Sequence, residues 1–108
     1  MFHMLSCFDL DEKTSIEAFQ ASLTAFRQYL QERDLICSVG QLGRRCSDTP
    51  MDTDEDRTLE YYFIMSFRDR AHCDGAYDFI DTDSNSHASH LEVITKVNDA
   101  VFICWEDI

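Results

Sequence analysis

The chain has few of the residues that make flexible connections, with one proline and three glycines in 108 positions. That leaves no room for a linker of the Gly/Ser or Pro-rich kind, and a single domain over residues 1–108 is expected. Positive charge is also scarce. Nine Lys and Arg stand against twenty-one Asp and Glu, a net charge of −12. Phosphate backbones and anionic lipid surfaces repel such a chain, so no nucleic-acid and no membrane partner is expected. No apolar run is long enough to span a bilayer. The five cysteines are odd in number, widely spaced and without a Cys-x-x-Cys, so neither a disulfide framework nor a metal site is expected. Four of them lie in apolar runs, where Cys behaves as a small hydrophobe, and Cys46 alone looks exposed. There is no glycine-rich phosphate loop and no dinucleotide fingerprint. No cofactor is therefore expected, although one axial His would be enough for haem. The opening residues lack a basic region followed by an apolar one, so no secretory signal is expected. A reducing cytoplasm fits these absences.

What is present begins with residues 60–67, Glu-Tyr-Tyr-Phe-Ile-Met-Ser-Phe. One alternate set is Tyr61, Phe63, Met65 and Phe67; the other holds Tyr62 and Ile64. A strand with one wet face alternates apolar and polar side chains. Here both sets are largely apolar, which predicts a central strand covered on both faces. Residues 1–10 read the same way, with Phe2, Met4 and Phe8 on one side and Leu5 and Cys7, with His3, on the other. Residues 100–105 close the chain as a third strand of this type.

Between them, Ile16, Phe19, Leu23, Phe26 and Leu30 recur at helical spacing and predict a helix running to about Arg33. Thr14 with Glu17 reads as its capping box. Residues 35–42 form a weaker strand, suited to an edge. Residues 43–58 form a long polar loop with a dense acidic run, which is either functional or mobile. Asp69 can cap a second helix running to about Ile80. Residues 81–86 read as a polar break and 87–97 as a short third helix. The order strand, helix, strand, strand, helix, strand predicts an α+β ferredoxin-like βαββαβ sandwich with a four-stranded antiparallel sheet. Helices can cover one sheet face only. The other apolar face implies an interface, and a second copy of the chain is the simplest occupant.

The stretch Tyr-Phe-Ile-Met-Ser-Phe-Arg-Asp from Tyr62 to Asp69 resembles the third strand of the dimeric α/β-barrel superfamily as it enters its helix. Residues 101–105 are similar to that family's last strand. The resemblance implies a homodimer in which two ferredoxin-like sheets close into a barrel. The superfamily includes cofactor-free antibiotic-biosynthesis monooxygenases, haem-degrading enzymes, a polyketide cyclase, muconolactone isomerases, stress-responsive proteins and many members of unknown function, so fold alone selects no activity. The cyclase branch places a His early in the first strand, a Tyr on the second helix and a His after it. His3, Tyr77 and His87 stand in similar positions. Such a set suits proton removal beside a carbonyl, with a Tyr hydroxyl holding the enolate oxygen.

Other groups have ordinary alternatives. His87 and His90 lie three apart, a spacing that can hold a metal, but one pair without a third ligand reads as a polar helix start. His72 reads as a surface residue. The acidic run lacks the glycine and distal Glu of a calcium loop. Arg44 and Arg45 end the second strand and Arg57 precedes the third. A hairpin would gather them with His3 and Trp105 at one end of the sheet, where an anionic ligand can bind, unless the arginines pair with the acidic loop. Tyr61 joins Arg44, Arg45 and Trp105 as an expected ligand contact. The leading expectation is a homodimer binding a small apolar or aromatic ligand in a cavity between sheet and helices. The alternative is a cofactor-free monooxygenase or cyclase acting on an aromatic or polyketide-like substrate.

Overall fold

A computed structural model describes residues 1–108. The elements in order are β1 (Phe2–Leu10), α1 (Ile16–Glu32), β2 (Ser38–Val39), β3 (Gly43–Arg44), β4 (Tyr61–Phe67), α2 (Arg70–Thr82), α3 (Ser84–Ile94) and β5 (Val97–Glu106). The sheet runs β2-β4-β1-β5, with β3 also on β4, and every pairing is antiparallel. This is the ferredoxin-like α+β arrangement. No helix is long and apolar enough to cross a membrane.

Alternation along the strands divides the sheet into two faces. Phe8, Phe63, Met65 and Phe67 are buried on the helix side against Phe19, Leu23, Phe26 and Leu30 of α1, with Ala76 and Val93 completing the core. On the other face the register lines up Leu5 with Ile64 and Ile103, Cys7 with Tyr62 and Val101, and His3 with Ser66 and Trp105. Nothing in the chain covers the middle of that face. Tyr62, Ile103 and Trp105 remain 42%, 51% and 40% exposed.

Several local expectations are corrected. Ser15, rather than Thr14, caps α1, its hydroxyl accepting from the Ala18 N–H at 3.1 Å. The helix closes through Asp34 at φ 55, with Leu35 N–H donating to Leu30 and Asp34 N–H to Gln31. That is a Schellman closure in which a short polar residue tolerates the left-handed conformation. The expected strand 35–42 is two short ladders. From Val39 to Gly43 the chain spends five residues opposite the four from Met65 to Tyr62, so a bulge separates the two ladders, and the second lies just beyond the expected strand. Gly43 suits this spot, because a Cβ there would run into the Tyr62 ring. The last strand begins at Val97, earlier than expected. Asp99 at φ 56 absorbs a bulge opposite Cys7–Asp9.

The expected break at 81–86 is a joint of one residue. Asp83 N–H donates to Phe79 and ends α2, while its carboxylate accepts from the Ser86 N–H and Oγ, both at 3.0 Å, and starts α3. Ser86 has given its proton to Asp83, so it accepts from the Tyr29 hydroxyl at 2.7 Å. A fully buried serine thereby locks the α2–α3 corner onto α1.

Candidate ligand site between sheet and helices

The helices lie over β4, β1 and the start of β5, where Val97 and Ala100 pack on the core, and stop short of the rest of β5. Phe102, on the helix side of β5 opposite Ser6, is left 50% exposed. The gap is a recess of about 550 Å³. Met4, Met65 and Phe67 form its floor, Phe26 and Leu30 its α1 wall, and Phe102 its lip. α2 adds Cys73, Ala76, Tyr77, Ile80 and Asp81, and α3 adds His87, His90 and Ile94. The wall is mostly aromatic, aliphatic and sulfur-bearing, which suits an apolar ligand.

His90 is half-buried with its ring 5.7 Å from that of Phe26. Burial, and secondarily the neighbouring His87, pull its pKa below the ordinary histidine value. The Cys73 thiol is pushed up, chiefly by burial, so it stays protonated at neutral pH. No three His, Cys, Asp or Glu side chains come together to hold a metal ion.

Of the three residues singled out for chemistry, Tyr77 and His87 both line this recess. His3 does not join them. It pairs with Ser66 and Trp105 on the opposite face of the sheet. Its Nε2 meets Asp107 Oδ1 at 2.9 Å and its Nδ1 meets Ser66 Oγ at 2.8 Å, with the Trp105 ring centroid 5.1 Å away. The His3 hydrogen bond holds the Asp107 carboxyl below the usual range. An ionised carboxylate only accepts, so Nε2 carries the proton and a neutral ring accepts at Nδ1 from Ser66. A Ser–His–Asp row of this kind has the members of a hydrolytic triad. But Ser66 is in mid-sheet, between His3 of β1 and Ser38 of β2, so no free pair of backbone N–H groups can stabilise an oxyanion. The row pins the three strands together.

The expected gathering of arginines beside His3 and Trp105 is also corrected. Arg44 pairs with Tyr61, and the Arg45 N–H donates to Glu60 at 2.7 Å. Tyr61 in turn faces Phe8, at the far end of β1 from His3. Because β4 runs antiparallel to β1, the hairpin meets the end of the first strand and not its start. The arginines are occupied as well. Arg45 donates Nε and Nη2 to the two oxygens of Asp52, each at 2.7 Å, and reaches the backbone oxygens of Asp54 and Arg57. Arg57 holds Asp54 at 2.8 Å. Arg44 lies 3.7 Å from Glu60 and 5.7 Å above the Tyr61 ring. The long loop is therefore wound around Arg45. It is further tightened where Asp52 and Asp54 accept from the N–H groups of Asp54 and Asp56.

His72, too, is structural. Its Nδ1 accepts from the Arg68 N–H at 3.2 Å, so Nε2 donates to the Asp34 carbonyl at 2.6 Å. Nothing in the sequence alone sets His90, Asp81 or Phe102 apart. The one available signal was the spacing of His87 and His90, which puts both on one helix face.

A one-layered antiparallel sheet with helices on one side and an uncovered apolar face on the other defines a ferredoxin-like α+β fold. No family profile matches the sequence, and no curated protein matches it. Solved structures share the fold at low identity. The Arabidopsis thaliana protein At3g17210 superposes with TM-score 0.76 at 6% identity, over 100% of this chain and 96% of its own. SnoaB, a cofactor-independent oxygenase from Streptomyces nogalater, gives 0.68 at 8% identity, over 98% and 91%. A dimeric ferredoxin-like protein of unknown function from Jannaschia gives 0.66 at 12% identity, over 98% of each chain.

Proposed function

We propose that the chain is a homodimer, paired through the uncovered sheet face, whose subunits each bind a small apolar or aromatic molecule in the recess between sheet and helices. The recess carries this reading: its wall is apolar nearly throughout, and it opens to solvent beside Phe102. The dimeric state of the Jannaschia protein supports the pairing.

The four methionines make the test direct. Met4 and Met65 floor the recess, while Met1 and Met51 lie outside it. With methyl-labelled methionine, titrating 2-naphthol should shift the Met4 and Met65 signals saturably and leave Met51, which is 88% exposed, in place. Unmoved Met4 and Met65 signals would remove the ligand site.

A second reading is a cofactor-free enzyme acting on an aromatic or polyketide-like substrate. The shared position of Tyr77 and His87 favours it, as does the fold held in common with SnoaB. His3 has no part in it. Deuterium exchange beside the carbonyl of an aryl β-ketone, followed by proton NMR, separates the two readings. An enzyme exchanges faster than buffer and slows in Tyr77→Phe and His87→Gln; a binding protein does neither.

A further inference from the structure

We propose that the recess selects neutral planar molecules carrying a phenolic or enolic hydroxyl, and that His90 is the group that reads this hydroxyl. The inference rests on the recess being a ligand site, and it names the ligand's chemistry.

Two features of the wall set that chemistry. The first is charge. No Lys or Arg lines the recess, and its one full charge is the carboxylate of Asp81. A carboxylate or phosphate ligand would leave water without meeting a cation, beside a negative group and within a chain of net charge −12. The second is hydrogen bonding. The uncharged polar groups are Tyr77 on α2 and His87 and His90 on α3. They lie together on the helix wall, opposite an apolar floor, so a bound molecule has one polar edge.

Among these groups His90 alone is half-buried, whereas His87 is exposed and Tyr77 is 70% exposed. His3 and His72 have both ring nitrogens bonded within the protein. His90 bonds to no protein group, although it is half-buried against Phe26. A neutral imidazole offers one donor and one acceptor. A hydroxyl is its complement, since it also gives one proton and accepts at its oxygen. Burial favours the neutral ring, in keeping with this role. The titratable groups that share the recess with it are Cys73, Tyr77 and Asp81 of α2, with His87 on its own helix.

Three probes of one shape test the proposal: naphthalene, 2-naphthol and 2-naphthoate, each titrated against the Met4 and Met65 methyl signals of the full chain. In the wild type, 2-naphthol should bind about tenfold more tightly than naphthalene, the worth of one net hydrogen bond, and 2-naphthoate should not bind. His90→Phe should abolish the preference while keeping naphthalene in the recess. His90→Gln, which retains a donor and an acceptor, should restore part of it. Equal affinity for naphthol and naphthalene in the wild type would overturn the inference, as would binding of naphthoate or an undiminished preference in folded His90→Phe. If no probe moves Met4 or Met65, the recess reading itself falls.

Discussion

Ile103→Asp should convert the proposed dimer to a stable monomer. Ile103 lies midway along the edge strand β5 on the uncovered face, opposite Leu5, and is 51% exposed. With Tyr62 and Trp105 at 42% and 40%, the three residues leave on the order of 300 Å² of mainly apolar surface per subunit. At about 25 cal/mol/Å², burying it in both copies contributes about 15 kcal/mol at most, against an association cost of about 4–15 kcal/mol. The balance is narrow, so one residue can decide it. Losing the exposed part of Ile103 removes about 2 kcal/mol per copy, and two-fold symmetry doubles that. About 4 kcal/mol corresponds to a dissociation constant weakened roughly a thousandfold, before the carboxylate's own desolvation is added. Sedimentation across a concentration series measures it, with circular dichroism as the folding control. Met51→Asp, on the acidic loop, should leave the dimer unchanged. A wild type that stays monomeric near 100 micromolar, or an Ile103→Asp dimer of unaltered strength, would refute this use of the sheet face.

Three further outcomes follow from the side chains described. Ser86→Ala leaves the partly buried Tyr29 hydroxyl without its acceptor and α3 without part of its cap. A loss of about 2 kcal/mol is expected, read as a melting temperature lower by about 10 °C, and an unchanged melting curve would show that the corner is not locked there. The carboxyls of Asp52, Asp54 and Asp83 are held low, by Arg45, Arg57 and the Ser86 N–H respectively. Their stabilisation is complete above the unfolded carboxyl value and is lost as pH falls through the lower folded values, so melting temperature should drop below about pH 4 and drop less steeply in Asp52→Asn. Of the five cysteines, Cys46 and Cys104 are exposed, while burial pushes the Cys7 and Cys73 thiols up. Alkylation followed by mass spectrometry should find those two modified first, and rapid loss of the Cys73 thiol would contradict its placement in the recess wall.

The parts of this fold visible in the sequence are those set by local period. The helical spacing of Phe19, Leu23, Phe26 and Leu30 and the two-sided apolarity of residues 61–67 need no knowledge of the rest of the chain. Features requiring a partner distant in sequence were hidden. The Ser86 hydroxyl reads as part of a polar break until Tyr29, 57 positions away, is brought against it. Cys104 lies in an apolar run and was expected to be buried, yet it is exposed, because the helices stop short of that part of β5. Hairpin proximity alone points the arginines to the His3 end of the sheet; the β1–β4 register puts them at the other end.

The candidate site suffers most from this dependence. It is made by a gap, the distance between the last helix and the outer strand, and no residue type encodes a gap. His90 and Phe102 acquire meaning only as its two sides. The same geometry explains why the central strands are apolar on both faces. One face closes the subunit's own core. The other stays open because a single layer of helices cannot cover both, and its apolar residues are accounted for only if something outside the chain binds there. The recess and the bare face are thus two results of one shortage of covering elements, and they predict two separable losses. A variant of Ile103 should alter pairing and spare the recess, and a variant of His90 should do the reverse.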